Sequence, residues 1–265
     1  RIGPPFVLHS LVDDPALHLA AARRYVETKA WLLAERPRPY DHDRIRLAYV
    51  SSDFKLSPVA HLMAGVLEDH DRSRFDVLGV SLGRDDGSDL RRRMERGVDR
   101  FVDLNGTTDD QAANTIRALE ADIVIDLNGH TEGARPGIFA RRPAPLQVVY
   151  LGFSGTTGCP FYDYAITDSI VTPADQQPFY TETLWPLAGC YMPSDRHRAP
   201  VTARTTRAAC GLPARGFVFC SFNNSYKITP EMFGVWMELL RSVPDSVLWL
   251  AAGAPEVETN LRREA

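Results

Sequence analysis

Residues 45–61, IRLAYVSSDFKLSPVAH, decide the fold of this chain. An apolar run over residues 45–51 leads into a polar turn, after which Ser57 and Pro58 signal the start of a helix. Serine is a favoured N-cap, and proline is favoured at the first helical position. The stretch therefore predicts a strand, a turn and a helix with His61 in its first turn. A strand that is apolar throughout is typical of a parallel sheet.

The same alternation continues along the chain. Further strands are predicted over residues 75–82, 100–104, 122–127, 146–151 and 164–167, and helices over 58–70, 88–97, 109–120 and 136–142. Buried strands that alternate with helices indicate a parallel sheet covered on both faces. Because such crossovers are right-handed, we predict an α/β fold with a Rossmann-like doubly wound domain over residues 44–200.

The segment before this domain has a different pattern. Residues 13–36 are amphipathic with helical spacing, and Arg-Pro-Arg-Pro at 36–39 breaks that pattern. Residues 1–43 are therefore predicted to be a helical linker to an upstream region. The chain begins with Arg1 rather than methionine, so we expect the natural N-terminus to lie upstream.

After the domain, five prolines between residues 173 and 200 predict loops and a hinge. A second unit is predicted over residues 201–265, with strands over 217–222 and 246–251 and helices over 230–242 and 255–265. Because a sheet usually has ~4–6 strands, we expect this second unit to be incomplete.

Composition excludes several classes of function. The 265 residues carry a formal net charge of −4 with a pI near 6.0, which argues against binding to nucleic acid or to a membrane surface. No apolar run reaches the ~18 residues of a membrane helix, and no signal peptide opens the chain. The four cysteines show no C-x-x-C spacing, which predicts reduced cytoplasmic thiols and no zinc or other metal site.

Polar and glycine residues follow four predicted strands at their carboxyl ends, where parallel sheets bind ligands. After the first strand, the helix that Ser57 begins offers free amides to an anion, and His61 either contacts that ligand or packs in the fold. After the strand over 122–127, Asp126 is followed four residues later by His130. A carboxylate can orient an imidazole and raise its basicity. A polar turn capped by Asp126 is the alternative.

The other two clusters follow later strands. Gly155 and Thr156 lie in a loop with glycines at every third position, which allows a ligand to approach the backbone or serves turns with positive φ. The spacing is neither G-x-G-x-x-G nor a P-loop. Lys227, one of three lysines among 30 basic residues, lies between a predicted strand and a predicted helix. Its ammonium suits a phosphate group, although a solvated loop lysine fits the pattern as well.

Together these clusters resemble the catalytic region of the O-GlcNAc transferase family, including its bacterial members and the SPINDLY-type O-fucosyltransferases. The resemblance extends over nearly all of the chain and is carried by residues 49–63, 126–135, 142–147, 152–158, 193–195, 222–227 and 245–250. It implies a GT-B glycosyltransferase, in which residues 201–265 begin the nucleotide-sugar lobe. It also implies upstream tetratricopeptide repeats.

The activity implied by the resemblance is inverting transfer of a sugar to protein Ser or Thr hydroxyls. The donor is a nucleotide sugar, UDP-GlcNAc above all, and the reaction uses no metal or other cofactor. By position, Lys227 matches the family's lysine that contacts the donor diphosphate. Asn224 lies where a neighbouring polar residue of the family holds the nucleotide. Asp126 and His130 match the aspartate and histidine near the reacting centre, with Thr131 beside them.

One departure concerns the general base. Many members have a histidine where this chain has Ser57, and a serine cannot accept a proton at neutral pH. His61, His130 or a donor phosphate oxygen are then the candidates that remain. The family's later donor-binding segments lie beyond residue 265, so this chain alone is expected to bind the donor weakly.

Three alternatives stay open. One is an O-fucosyl- or glucosyltransferase of the same fold. Another is a non-catalytic scaffold, which Ser57 favours. The least supported is a nicotinamide dehydrogenase, because the first turn has no glycine fingerprint.

Overall fold

The computed structural model describes residue 3, residues 5–198 and residues 205–265. The chain divides into two compact units. Of the described residues, the first unit contains 3, 5–9 and 13–198, and the second contains 10–12 and 205–265. Pro200 and the predicted boundary between residues 200 and 201 lie outside the described residues, so that boundary stays a prediction.

A parallel sheet of seven strands forms the first unit. The strands are β1 (Ile45–Ser51), β2 (Phe75–Ser81), β3 (Arg100–Asp103), β4 (Ile123–Asp126), β5 (Leu146–Tyr150), β6 (Tyr164–Asp168) and β7 (Thr183–Leu187). Their order in the sheet is β3-β2-β1-β4-β5-β6-β7. The order therefore reverses between β1 and β4. This confirms the predicted α/β fold with a doubly wound parallel sheet.

Helices cover both faces of this sheet. They are α1 (Pro15–Glu27), α2 (Pro58–Glu68), α3 (Asp89–Arg96), α4 (Asp109–Ala118) and α5 (Pro136–Ala140). Ala48 and Val50 of β1 belong to one buried cluster, with residues of α4 and α5. Leu47 and Tyr49 belong to another, with residues of α2 and α3. Alternate residues of one strand thus face opposite layers, as a doubly wound sheet requires.

Strand β7 corrects the prediction of loops after residue 173. It pairs in parallel with β6 at the edge of the sheet, and Pro186 lies opposite Thr167. Most of its residues are exposed. Proline has no N–H to donate, and an edge strand tolerates it because one side of the strand needs no partner. Because β7 is exposed and contains proline, its sequence has no continuous apolar run of the kind that predicts a buried strand.

Helix α1 is shorter than predicted. It ends at Glu27, where the hydroxyl of Thr28 donates to the carbonyl oxygen of Tyr25 at 2.6 Å. Residues 28–44 form neither helix nor strand. Trp31 packs edge-on against Phe161, with ring centroids 5.7 Å apart. The apolar residues after Glu27 therefore pack against the first unit without continuing the helix.

The second unit has a smaller parallel pair of strands. These are β8 (Val218–Ser221) and β9 (Val247–Leu250), with helices α6 (Pro230–Ser242) and α7 (Pro255–Glu264). Short 3-10 helices cover Pro5–Ser10, Ala174–Phe179, Ala208–Cys210 and Ser225–Lys227. Among all the described residues, no helix is long and apolar enough to cross a lipid bilayer.

Candidate active site

The turns after β1 and β4 meet where the strand order reverses, and Asn128 joins them. Its Oδ1 accepts from the amide of Ser52 at 2.8 Å and from the hydroxyl of Ser51 at 3.2 Å. Its Nδ2 donates to Asp53 Oδ2 at 2.9 Å and to Thr131 Oγ1 at 3.2 Å. Asn128 is 1% exposed. One buried amide side chain thus holds both turns at the edge where parallel sheets bind ligands.

Sequence reasoning missed Asn128 and Asp53. The carboxylate of Asp53 remains partly exposed, and its Oδ1 lies 3.9 Å from the Lys55 ammonium. Burial raises the pKa of Asp53, while Lys55 and the Asn128 amide lower it by less. The available signal was a polar residue two positions after the end of each of two strands that are neighbours in a doubly wound sheet.

Asp126, the last residue of β4, is 2% exposed. The hydroxyl of Tyr162 donates to its Oδ2, and the amide of Asn128 donates to its Oδ1 at 2.8 Å. The amide of Gly129 also donates to this carboxylate. Burial raises the pKa of Asp126, and these hydrogen bonds oppose that rise. The side chain therefore anchors the turn from inside the fold.

His130 is oriented by Thr157. His130 Nε2 lies 2.6 Å from the carbonyl oxygen of Thr157. A carbonyl only accepts, so Nε2 carries the hydrogen and the neutral ring has its lone pair on Nδ1. Burial lowers the pKa of His130, which favours the neutral ring. The rings of Tyr25 and Phe153 contact it edge-on, with centroids 5.3 and 5.2 Å away.

The expected hydrogen bond between Asp126 and His130 is absent from the described part of the chain. The imidazole donates to Thr157, and the carboxylate accepts from Tyr162 and from backbone amides. Both predicted residues lie on the same turn after β4. A backbone carbonyl, however, has the orienting role that the sequence had suggested for a carboxylate.

Gly155 and Thr156 lie in a buried loop after β5. A Cβ atom on Gly155 would clash with the ring of His9, so a larger residue there would require the His9 side chain to move. The hydroxyl of Thr156 donates to Glu182 Oε2 at 2.8 Å. Both residues are thus held within the first unit, and their predicted contact with donor or acceptor stays a prediction.

Ser57 caps α2, as predicted. Its Oγ accepts from the amide of Ala60 at 3.1 Å and donates to the carbonyl oxygen of Asp53 at 2.8 Å. His61 lies half-buried in the first helical turn. The hydroxyl of Thr131 donates to the carbonyl oxygen of Asn128 at 3.0 Å. The hydroxyls of Ser57 and Thr131 therefore stabilise the two turns beside the site.

The buried side chain of Arg91 in α3 holds the turn after β1 in place. Its guanidinium donates to the carbonyl oxygen of Phe54 at 2.9 Å and to the hydroxyl of Ser81 at 2.7 Å. It also pairs with Asp103 at 2.9 Å, although only 2% of its side chain is exposed. The planar fork of arginine suits several acceptors at fixed positions. This buried arginine gave no signal in the sequence.

Lys227 and Asn224 lie in the second unit, after β8. The amide of Lys227 donates to the carbonyl oxygen of Asn224 at 3.0 Å, and both residues are exposed. Thr229 then caps α6 through the amide of Met232. The strand, turn and helix predicted around Lys227 are confirmed. Its predicted approach to Asp126 and His130 involves both units and stays a prediction.

Comparison with known proteins assigns the chain to a family. The sequence model described as "Glycosyl transferase family 41" matches residues 24–199 and 194–265. This chain belongs to glycosyl transferase family 41.

Similarity to individual relatives and to a solved structure agrees with the assignment to family 41. The chain is 36% identical to the probable UDP-N-acetylglucosamine–peptide N-acetylglucosaminyltransferase SEC of Arabidopsis thaliana, over 93% of this chain and 27% of the relative. It is also 36% identical to the probable UDP-N-acetylglucosamine–peptide N-acetylglucosaminyltransferase SPINDLY of Arabidopsis thaliana, over 77% of this chain and 22% of the relative.

The solved structure is a mutant of the Thermobaculum terrenum O-GlcNAc transferase. It matches with a TM-score of 0.83 and 31% identity, over 96% of this chain and 48% of that chain. The chain spans about a quarter of the length of the two plant relatives. The resemblance to O-GlcNAc transferases is confirmed by these matches.

Proposed function

We propose that this family 41 protein transfers GlcNAc from UDP-GlcNAc to Ser or Thr hydroxyls of a protein or peptide. The observation that carries the proposal is the position of His130 on the turn after β4, at the reversal of strand order, with its Nε2 bound to the carbonyl oxygen of Thr157. The plant and bacterial relatives, which are named for GlcNAc transfer, support it. The reaction needs no cofactor beyond the nucleotide sugar.

In the proposed reaction, the acceptor oxygen forms a bond to C1 of the sugar as the bond from C1 to the diphosphate oxygen breaks. The anomeric configuration inverts because attack and departure occur on opposite faces. The acceptor proton passes to a base, and negative charge develops on the leaving UDP. A preplaced cation that meets this charge lowers the barrier.

Residues of this chain supply these groups. The ammonium of Lys227 stabilises the departing diphosphate, with Asn224 beside it. The lone pair on His130 Nδ1 receives the acceptor proton, because Nε2 already donates to Thr157. Asp126 holds the turn that carries His130, and Asp53 lies partly exposed at the same edge.

We also propose that the protein is cytoplasmic. In the full-length protein, we propose that tetratricopeptide repeats precede the region described here. All four cysteines are free, which agrees with a reducing compartment. The support for the repeats is the family resemblance.

The complete protein, incubated with UDP-GlcNAc and an acceptor peptide, tests the proposal. We expect release of UDP and a gain of one N-acetylhexosamine mass on the peptide. GDP-fucose and UDP-glucose, assayed in parallel, should give much slower transfer. Faster transfer from either donor would contradict GlcNAc as the sugar, and turnover of none of the three by folded protein would favour a scaffold.

A further inference from the structure

Glu182, directly before β7, is a buried carboxylate whose contacts are all neutral. Its Oε1 accepts from the amide of Thr157 at 2.8 Å and also from the Thr157 hydroxyl. Its Oε2 accepts from the hydroxyls of Thr156 at 2.8 Å and Thr181 at 3.1 Å. Glu182 is 1% exposed, and no basic side chain of the described ranges forms an ion pair with it.

Such a carboxylate is unusual because burial of a charge without an opposite charge is costly. Here four donors compensate, an arrangement that suits the ionised form.

One residue, Thr157, contacts both Glu182 and His130. Glu182 holds the amide and hydroxyl of Thr157, and the carbonyl oxygen of Thr157 accepts from His130 Nε2 at 2.6 Å. The charge of Glu182 also favours a protonated ring, which raises the pKa of His130 against the larger effect of burial.

We propose that Glu182 is a positioning residue for His130. By fixing Thr157, it keeps the hydrogen on Nε2 and leaves Nδ1 free to accept. When the acceptor hydroxyl gives its proton to Nδ1, the ring becomes an imidazolium, and the charge of Glu182 stabilises it. The proton then leaves to water after the product departs. The catalytic part of this inference rests on the proposed function, whereas the tautomer does not.

Other titratable groups face the same ring. Lys29 lowers the pKa of His130, and the ring of Tyr25 contacts it edge-on. His9 interacts with it as well, since His130 lowers the pKa of His9. These groups stay unchanged in the variants below, so a change at His130 reports on Glu182.

Nitrogen NMR of the histidine rings in this 265-residue chain tests the tautomer, with the His130 signals assigned by their loss in His130→Gln. In the parent chain we expect a neutral ring protonated on Nε2. In Glu182→Gln the amide oxygen still accepts from Thr157 but the charge is gone. We therefore expect the same tautomer with a lower pKa of His130. Glu182→Ala removes both the acceptor oxygen and the negative charge, and we expect a mixture of His130 tautomers in this variant.

A matched control is Asp163→Asn. Asp163 is also a largely buried carboxylate, and it lies directly before β6, beside Glu182 in the register of the sheet. Its side chain pairs with Arg142 at 2.7 Å and accepts from the amide of Gln147, and it does not contact Thr157. This variant should lower the melting temperature and leave the His130 signals unchanged. If both Glu182 variants only lower the melting temperature, or if the parent ring is protonated on Nδ1, the inference is wrong. Glu182→Gln alone decides the question if the alanine variant does not fold.

Kinetics of the complete protein separate this inference from the proposed function. Glu182→Ala should reduce kcat about 10²-fold with little change in the donor KM, since a displaced base slows the chemical step. Glu182→Gln should shift the acidic limb of the pH–rate profile to lower pH. If Glu182→Ala alters the His130 tautomer but the complete parent protein transfers no sugar, the positioning of His130 by Glu182 is supported. The same result would contradict the glycosyltransferase assignment.

Discussion

The amide of Asn128 spans the reversal of strand order, donating to Asp53 Oδ2 at 2.9 Å while its oxygen accepts from the Ser52 amide at 2.8 Å. Asn128→Asp would place a second carboxylate against Asp53 and leave no donor between them. We expect a loss of about 1–3 kcal/mol in the free energy of unfolding at pH 7. Urea denaturation measures it. The same change at the exposed Asn105 should have little effect, and equal losses at both positions would contradict the bridge.

Asp126 and Tyr162 form a buried pair, and a double-mutant cycle measures their coupling. Asp126→Asn and Tyr162→Phe each disturb the same hydrogen bond. We therefore expect the free energy lost in the double variant to be less than the sum of the single losses by about 1 kcal/mol or more. Additive losses would show that Asp126 does not depend on the Tyr162 hydroxyl.

Asp126→Asn should also strongly reduce turnover of the complete protein, because the turn that carries His130 loses its anchor. An unchanged rate, measured beside an intact fold, would leave Asp126 as a cap of local structure without influence on the reaction.

Lys227→Ala should abolish sugar transfer and leave the fold intact. The side chain is exposed, so the change in stability should be within about 0.5 kcal/mol. The loss of a cation that meets the leaving diphosphate should reduce kcat by about 10²–10³-fold or more. UDP release by the complete protein measures this. Arg241→Ala, an exposed cation of α6, is the matched control, and near-parental turnover of Lys227→Ala would refute the assignment.

Acidification should weaken the fold between pH 7 and pH 5. Burial, aided by His18 and His130, lowers the pKa of His9 to about 4, well below its unfolded value of 6.5. The unfolded chain then binds more protons in this window, so the free energy of unfolding falls as the pH falls. His9→Gln should make that fall shallower in chemical denaturation at several pH values.

His42 provides the control of opposite sign. Its hydrogen bonds to Asp122 and Glu120 raise its pKa, so its contribution is present below pH 6.5 and is lost as the pH rises through the folded pKa. His42→Gln should therefore make the acid-side loss of stability steeper. Parallel slopes for the parent chain and both variants would show that these histidines do not control the pH dependence.

Local signals predicted most of the first sheet. Strand β1 begins and ends at the predicted residues, and α2 begins at Pro58 after its Ser57 cap. These elements depend on neighbours within a few residues, whose propensities are visible in the sequence. Strand β7 was missed because an exposed edge strand needs neither an apolar run nor every backbone N–H.

By itself the sequence determined the parallel alternation of strands and helices, the family resemblance and the turns that carry Asp126, His130 and Lys227. The tertiary structure alone decided which groups touch. His130 and Thr157 are 27 residues apart, and Thr157 and Glu182 are 25 apart. Partners at such separations meet only when the strands are ordered in the sheet. The tautomer of His130 and the burial of Glu182 therefore follow from packing, which no local pattern of residues encodes.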